Sequence, residues 1–93
     1  MRDARFEWDD RKAKSNLRKH DVSFAMARLA FDDPRVVERL DLDEIDEDRL
    51  LLTGLAGELL LTVCFVDRPP RIRIISARKA NQHETTEYNN QNT

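Results

Sequence analysis

The run LLLTVCFV at 59–66 constrains this chain more than any other stretch. It is almost continuously apolar, yet far short of the ~20 residues a membrane span needs. A short run of this kind predicts a central β-strand covered on at least one face. The neighbouring segments then have to supply that cover and the strands beside it. Arg68-Pro69-Pro70 turns the chain, and RIRIISA at 71–77 predicts a further strand with alternating polarity at its start. Arg49–Thr53 predicts the strand before it, joined to the apolar run near Gly54–Gly57, and Val36–Leu40 predicts another. Between these two, 42–48 reads as an acidic turn.

The N-terminal half has a different period. Arg5–Trp8 reads as a short extended segment. Asp9 or Asp10 caps a helix running to about Lys19, which Asp21 and Val22 break. Ser23 caps a second helix, FAMARLAF, ending near Asp32, and Pro34 stops the helical pattern. Arg78 to about Tyr88 predicts a closing helix. The expectation is an α+β fold: a short N-terminal strand, two helices, a four-stranded antiparallel sheet and a C-terminal helix. Ninety-three residues fit one domain, with a core over about 5–88 and frayed termini. A chain this short hides only ~60–65% of its unfolded surface, so the core is thin.

Composition excludes several functions. The single cysteine, Cys64, makes no intrachain disulfide, and no Cys/His cluster has zinc-ligand spacing. Two glycines argue against a glycine-rich phosphate loop. The opening MRDARFEWDDRKAK has no apolar stretch of the kind a secretory signal carries. A cytoplasmic protein with no cofactor, no metal and no membrane partner is expected.

The net charge of −2 hides strong segregation. Residues 1–20 carry +3, residues 32–48 carry −7, and residues 68–79 carry +5. The basic blocks suit phosphates and the acidic block a basic partner or solvent. On the first helix, with Lys12 at zero, Asn16 falls at ~40° and His20 at ~80°. Both border the apolar stripe, so His20 can be half buried and still move a proton near neutral pH. Hydrogen bonding to the helix end and the following turn is the plainer alternative for this pair. On the strand, Arg71 and Arg73 share one face, a placement that anchors a guanidinium for a phosphate or for a salt bridge. Arg78 and Lys79 are expected at the strand-to-helix junction, beside open backbone N–H groups. Ala80, Glu84 and Tyr88 share a helix face, so Glu84 points toward the body of the protein as a general base or an arginine orienter. On geometry alone, an ordinary helix residue pairing with Lys79 or Arg78 is the plainer alternative. Cys64 reads as inert core, and Trp8 as an anchor for the first helix with base stacking as the alternative.

FEWD at 6–9, Lys12, Asn16 and KHDVSF at 19–24 together resemble the opening signature of the BrnT toxin family. The resemblance continues through FDDP at 31–34, EDR at 47–49, Gly54 and RIISARKA at 73–80, then Glu84 and Tyr88. It implies a RelE-like ribonuclease of a type II toxin–antitoxin system, neutralised by a BrnA-like ribbon-helix-helix antitoxin that also carries the complex to promoter DNA. By position, the resemblance points to Lys12, Asn16, Lys19, His20, Arg73, Arg78, Glu84 and Tyr88. Catalysis is expected from His20, Arg73, Arg78 and Glu84. RNA binding is expected from Lys12, Asn16, Lys19, Arg71, Lys79 and Tyr88. The chain departs from the family at Asp21, where glycine is usual, and in NQHETTEY at 81–88, where lysine and arginine are common. Two rival readings remain open. One is a catalytically weakened homologue serving as an antitoxin-binding co-repressor. The other is a nucleic-acid binder with no enzymatic activity.

Overall fold

A computed structural model describes residues 1–42 and 48–92. The expected acidic turn at 42–48, and the start of the EDR motif, lie largely outside the described residues. The elements are β1 (Phe6–Glu7), α1 (Asp10–His20), α2 (Phe24–Ala30), β2 (Val37–Leu40), β3 (Arg49–Ala56), β4 (Leu59–Arg68), β5 (Arg71–Lys79) and α3 (Gln82–Gln91). The α+β expectation and the order of elements hold.

The sheet differs from the expected four antiparallel strands. It has five, ordered β1-β5-β4-β3-β2, and it is mixed. The two residues of β1 pair parallel to β5, Phe6 with Ile72 and Glu7 with Arg73. The Ile72 N–H donates to the Arg5 carbonyl at 2.8 Å, and Phe6 is almost wholly buried. Burial of that one ring recruits the short extended segment into the sheet.

Two further boundaries move. β3 continues through Gly54 to Ala56, and the tight turn sits at 57–58, where Gly57 has φ +64°. Gly54 is a packing glycine: a Cβ there would lie 2.8 Å from the Ala30 carbonyl oxygen and 2.9 Å from Val36 Cγ1. β5 runs on to Lys79, so Arg78 and Lys79 pair with Thr62 and Leu61 and do not sit at a helix start. Asn81 sets the start of α3 through a capping box, accepting from the Glu84 N–H while the Glu84 carboxylate accepts from the Asn81 N–H.

The other helix ends follow the sequence. The Asp9 side chain accepts from the N–H groups of Arg11 and Lys12, and Ser23 accepts from Met26. α1 ends on Asp21 in the left-handed region, φ 58° and ψ 33°. Aspartate tolerates that conformation better than most non-glycine residues.

α1 and α2 cover one face of the sheet. Leu61, Val63 and Phe65 of β4, Leu52 and Ala56 of β3, and Ile74 and Ala77 of β5 pack there against Phe24, Ala27 and Ala30. Edge-to-face rings run Phe6–Phe31–Phe65, with centroids 5.2 and 5.0 Å apart. Trp8 packs on Phe24 at 5.7 Å. Among the described residues no helix is long and apolar enough to cross a membrane.

Candidate nucleic-acid interface

The other face of the sheet is where the cations gather. Directly paired residues of neighbouring strands point to the same side. Thr62, Cys64, Val66 and Arg68 of β4 point away from α1 and α2. Their partners on β5 are Arg78, Ser76, Arg73 and Arg71. On β3, Thr53, Leu51 and Arg49 stand opposite Thr62, Cys64 and Val66, and Arg39 of β2 stands opposite Leu51. Arg39, Arg49, Arg68, Arg71, Arg73 and Arg78 therefore share one face.

A bulge makes this possible. Arg73 and Arg78 are five positions apart, an odd spacing that puts side chains on opposite faces of a regular strand. The ladder shifts between Cys64 and Phe65, which pair with Ser76 and Ile74 and leave Ile75 as the extra residue. That single insertion returns Arg78 to the side of Arg73.

α3 closes one end of this face with a buried carboxylate. Glu84 is 1% exposed. It receives a bidentate fork from Arg78, Nη1 to Oε1 at 2.6 Å and Nη2 to Oε2 at 3.0 Å. Arg39 Nη2 donates to Oε2 at 2.8 Å, and the Asn81 N–H donates to Oε1 at 2.9 Å. Burial pushes the Glu84 carboxyl pKa up, but donors from Arg78, Arg39, Asn81 and Thr62 overcome it and hold the group far below the usual carboxylate range. The same carboxylate raises the pKa of Arg78. At neutral pH Glu84 is thus a fixed anion that orients two guanidinium groups and has little basicity left. Both arginines remain about one third exposed, at 34% for Arg39 and 38% for Arg78. Among the described residues Arg39 Nη1 has no hydrogen-bond partner, and it lies 3.9 Å from Glu87 Oε1.

The remaining expected residues divide into several groups. Arg73 lies along the same face, with Nη1 donating to Glu7 Oε2 at 3.0 Å. That bond is the main cause of the lowered Glu7 pKa. Arg71 Nε donates to the Asp3 carbonyl at 2.7 Å. Tyr88 is buried, and its hydroxyl donates to Asp33 Oδ2 at 2.7 Å, so it ties α3 to the loop after α2 and not to Glu84. Burial and then Asp33 raise the Tyr88 pKa. Asn16 is also buried. Its amide donates to the Val22 and Ala77 carbonyls at 2.9 and 2.8 Å, and its oxygen accepts from the Ala77 N–H at 3.1 Å. Those bonds pin α1 to the outer edge of β5. His20 lies one turn beyond Asn16, at the end of α1, and is half-buried. Lys12 and Lys19 are exposed on α1, and Lys79 is exposed at the end of β5. Cys64 is buried on the arginine face.

Arg39 and Glu7 are the participants that sequence reasoning missed. Arg39 sits in the acidic block, where it reads as local neutralisation. The alternation of VERL at 37–40 places it on one face with Val37, but nothing local connects it to Glu84. Among the described residues no three of His, Cys, Asp and Glu converge as a metal-ligand set would.

A small α+β domain thus gathers guanidinium groups on one sheet face, two of them around a buried carboxylate. Over residues 8–84 the chain matches the family described as the ribonuclease toxin, BrnT, of type II toxin-antitoxin systems, and it belongs to that family. Its target class is therefore RNA and its partner class an antitoxin. No curated protein matches the chain.

Proposed function

We propose that the chain has a RelE-like fold and cleaves RNA on the arginine face without a metal ion. The RNA 2′-hydroxyl gives up its proton and attacks the adjacent phosphorus, the P–O bond to the 5′-oxygen breaks, that oxygen takes up a proton, and a 2′,3′-cyclic phosphate remains. The observation that carries this reading is the Arg39–Glu84–Arg78 cluster. A locked carboxylate presents two forks from different strands toward a site where phosphorane charge can develop. Glu84 acts as a positioning residue. Arg73, one bulged segment along the strand, engages the same or the next phosphate. His20 is the remaining group suited to proton transfer, reached by RNA laid over the outer edge of β5. Lys12, Lys19, Arg71 and Lys79 hold flanking phosphates, while Asn16 and Tyr88 hold the elements in place. A BrnA-like ribbon-helix-helix antitoxin neutralises the chain in the cytoplasm and takes the complex to promoter DNA.

One observation favours a second reading, that of a weakened toxin retained as a co-repressor subunit. The closing helix QHETTEYNNQ contains no lysine or arginine, so it adds no phosphate-binding charge. Induction in a bacterial host separates the two. The ribonuclease reading expects growth arrest with RNA cleavage, relieved by co-expressed antitoxin and abolished by Arg73→Ala at matched soluble expression. Normal growth and intact RNA beside a stable antitoxin complex would support the co-repressor.

A further inference from the structure

The cations of α1 are used differently from those of the sheet. Among the described residues the side chains of Arg11, Lys12, Lys14, Arg18 and Lys19 make no hydrogen bond or ion pair. Arg11, Lys14 and Arg18 fall at i, i+3 and i+7 on one stripe, where like charges repel. Arg11 also stands in the first turn, where the helix dipole disfavours a cation. Lys14 forms the lip of a groove of about 230 Å³ between α1 and α2, whose walls are Trp8, Ala13, Leu17 and Phe24. Leu17 is 47% exposed there, and Leu29, one turn beyond groove-lining Ala25 on α2, is 49% exposed. A basic stripe beside an apolar groove is a costly arrangement for an isolated helix pair.

We infer that this groove is the anchoring site for an acidic, amphipathic helix of the antitoxin. The inference rests on the toxin–antitoxin reading and deepens it. Apolar side chains at helical spacing would fill the groove over Leu17 and Trp8, and flanking carboxylates would meet Lys14, Arg11 and Arg18. RNA fits less well, because its phosphates would satisfy the cations and leave the apolar walls in water. A second copy of the chain fits less well again, because a two-fold contact would set the basic stripe against itself. The groove and the arginine face lie on opposite sides of the sheet. Anchoring and neutralisation are thus separable: one segment grips α1 and α2, and another reaches the arginines.

The test uses the full chain co-expressed with an antitoxin of the BrnA-like ribbon-helix-helix class. Affinity is measured by titration, and cleavage of a single-stranded RNA by the chain alone is measured in parallel. Leu17→Glu is expected to weaken the complex at least about tenfold. Lys14→Glu should weaken it by a smaller factor and flatten its salt dependence. Both variants should cleave RNA at the wild-type rate. Wild-type affinity in both variants would overturn the inference while leaving the toxin–antitoxin reading intact. Loss of RNA cleavage in both, with the antitoxin still tightly bound, would reassign the groove to RNA and overturn it. No complex with the wild-type chain would overturn the toxin–antitoxin reading and the inference with it.

Discussion

The two sides of β4 show how one apolar run serves two purposes. Leu61, Val63 and Phe65 face α1 and α2 and are at most 3% exposed. Thr62, Cys64 and Val66 face the other way and are also buried, but beneath arginines and a carboxylate. The first side is held by dispersion and the removal of carbon from water, which tolerate small shifts and act in no particular direction. The second is held by directional bonds around Glu84, which fix where guanidinium heads point. The contrast teaches that the core secures the strand and the strand lends its stiffness to the charged face.

The largest expected effect is on the core side. Phe65→Ala should lower the unfolding free energy by about 3–5 kcal/mol in a urea titration. Cys64→Ala, the adjacent residue on the other side, should cost roughly 1 kcal/mol. Equal costs would mean that the two sides are not mechanically distinct.

Next comes Glu84→Gln, expected to cost about 3 kcal/mol because it leaves two arginines aimed at a neutral group. It also has a signature in pH. The folded-state pKa of Glu84 is depressed, so its stabilisation is complete above the unfolded value of about 4.3 and is lost as pH falls toward the folded value. The wild-type chain should therefore lose stability more steeply than Glu84→Gln on acidification below about pH 4. Parallel acid limbs in chemical denaturation would show that the clamp contributes no such linkage. Asp3, Glu7, Asp9 and Asp33 shift in the same direction and supply the residual acid sensitivity of the variant.

The smallest effect lies outside both faces. Asp21→Gly should raise stability by about 0.5–1 kcal/mol, since glycine adopts the left-handed cap without strain. A lower melting temperature would show that the aspartate side chain compensates for its backbone.

The legible parts of this molecule are those governed by local chemistry. The caps at Asp9 and Ser23, the central strand at 59–66, and the inward face of Glu84 follow from spacing and side-chain type. The fifth strand was hidden because two residues carry no periodicity, and only the burial of Phe6 against distant partners draws them in. The end of β5 was misplaced because helix-forming residues at 78–80 follow the strand without a breaker, and the Asn81 capping box decides the boundary. The common face of Arg73 and Arg78 was illegible for a related reason. A bulge is a property of two strands in register, and neither strand announces it alone. Arg39 depends on three strands at once and on α3, so no window of sequence could have paired it with Glu84.

The arginine face is proposed to cleave RNA without a metal. The most direct test is cleavage of RNA by the purified chain, freed of antitoxin, in excess EDTA, with Arg78→Ala alongside. The wild-type chain should cleave and leave 2′,3′-cyclic phosphate ends. Arg78→Ala, still folded, should be slower by a factor of about 10²–10³. Activity that vanishes in EDTA and returns with a divalent ion, or equal rates for the two proteins, would contradict the proposal.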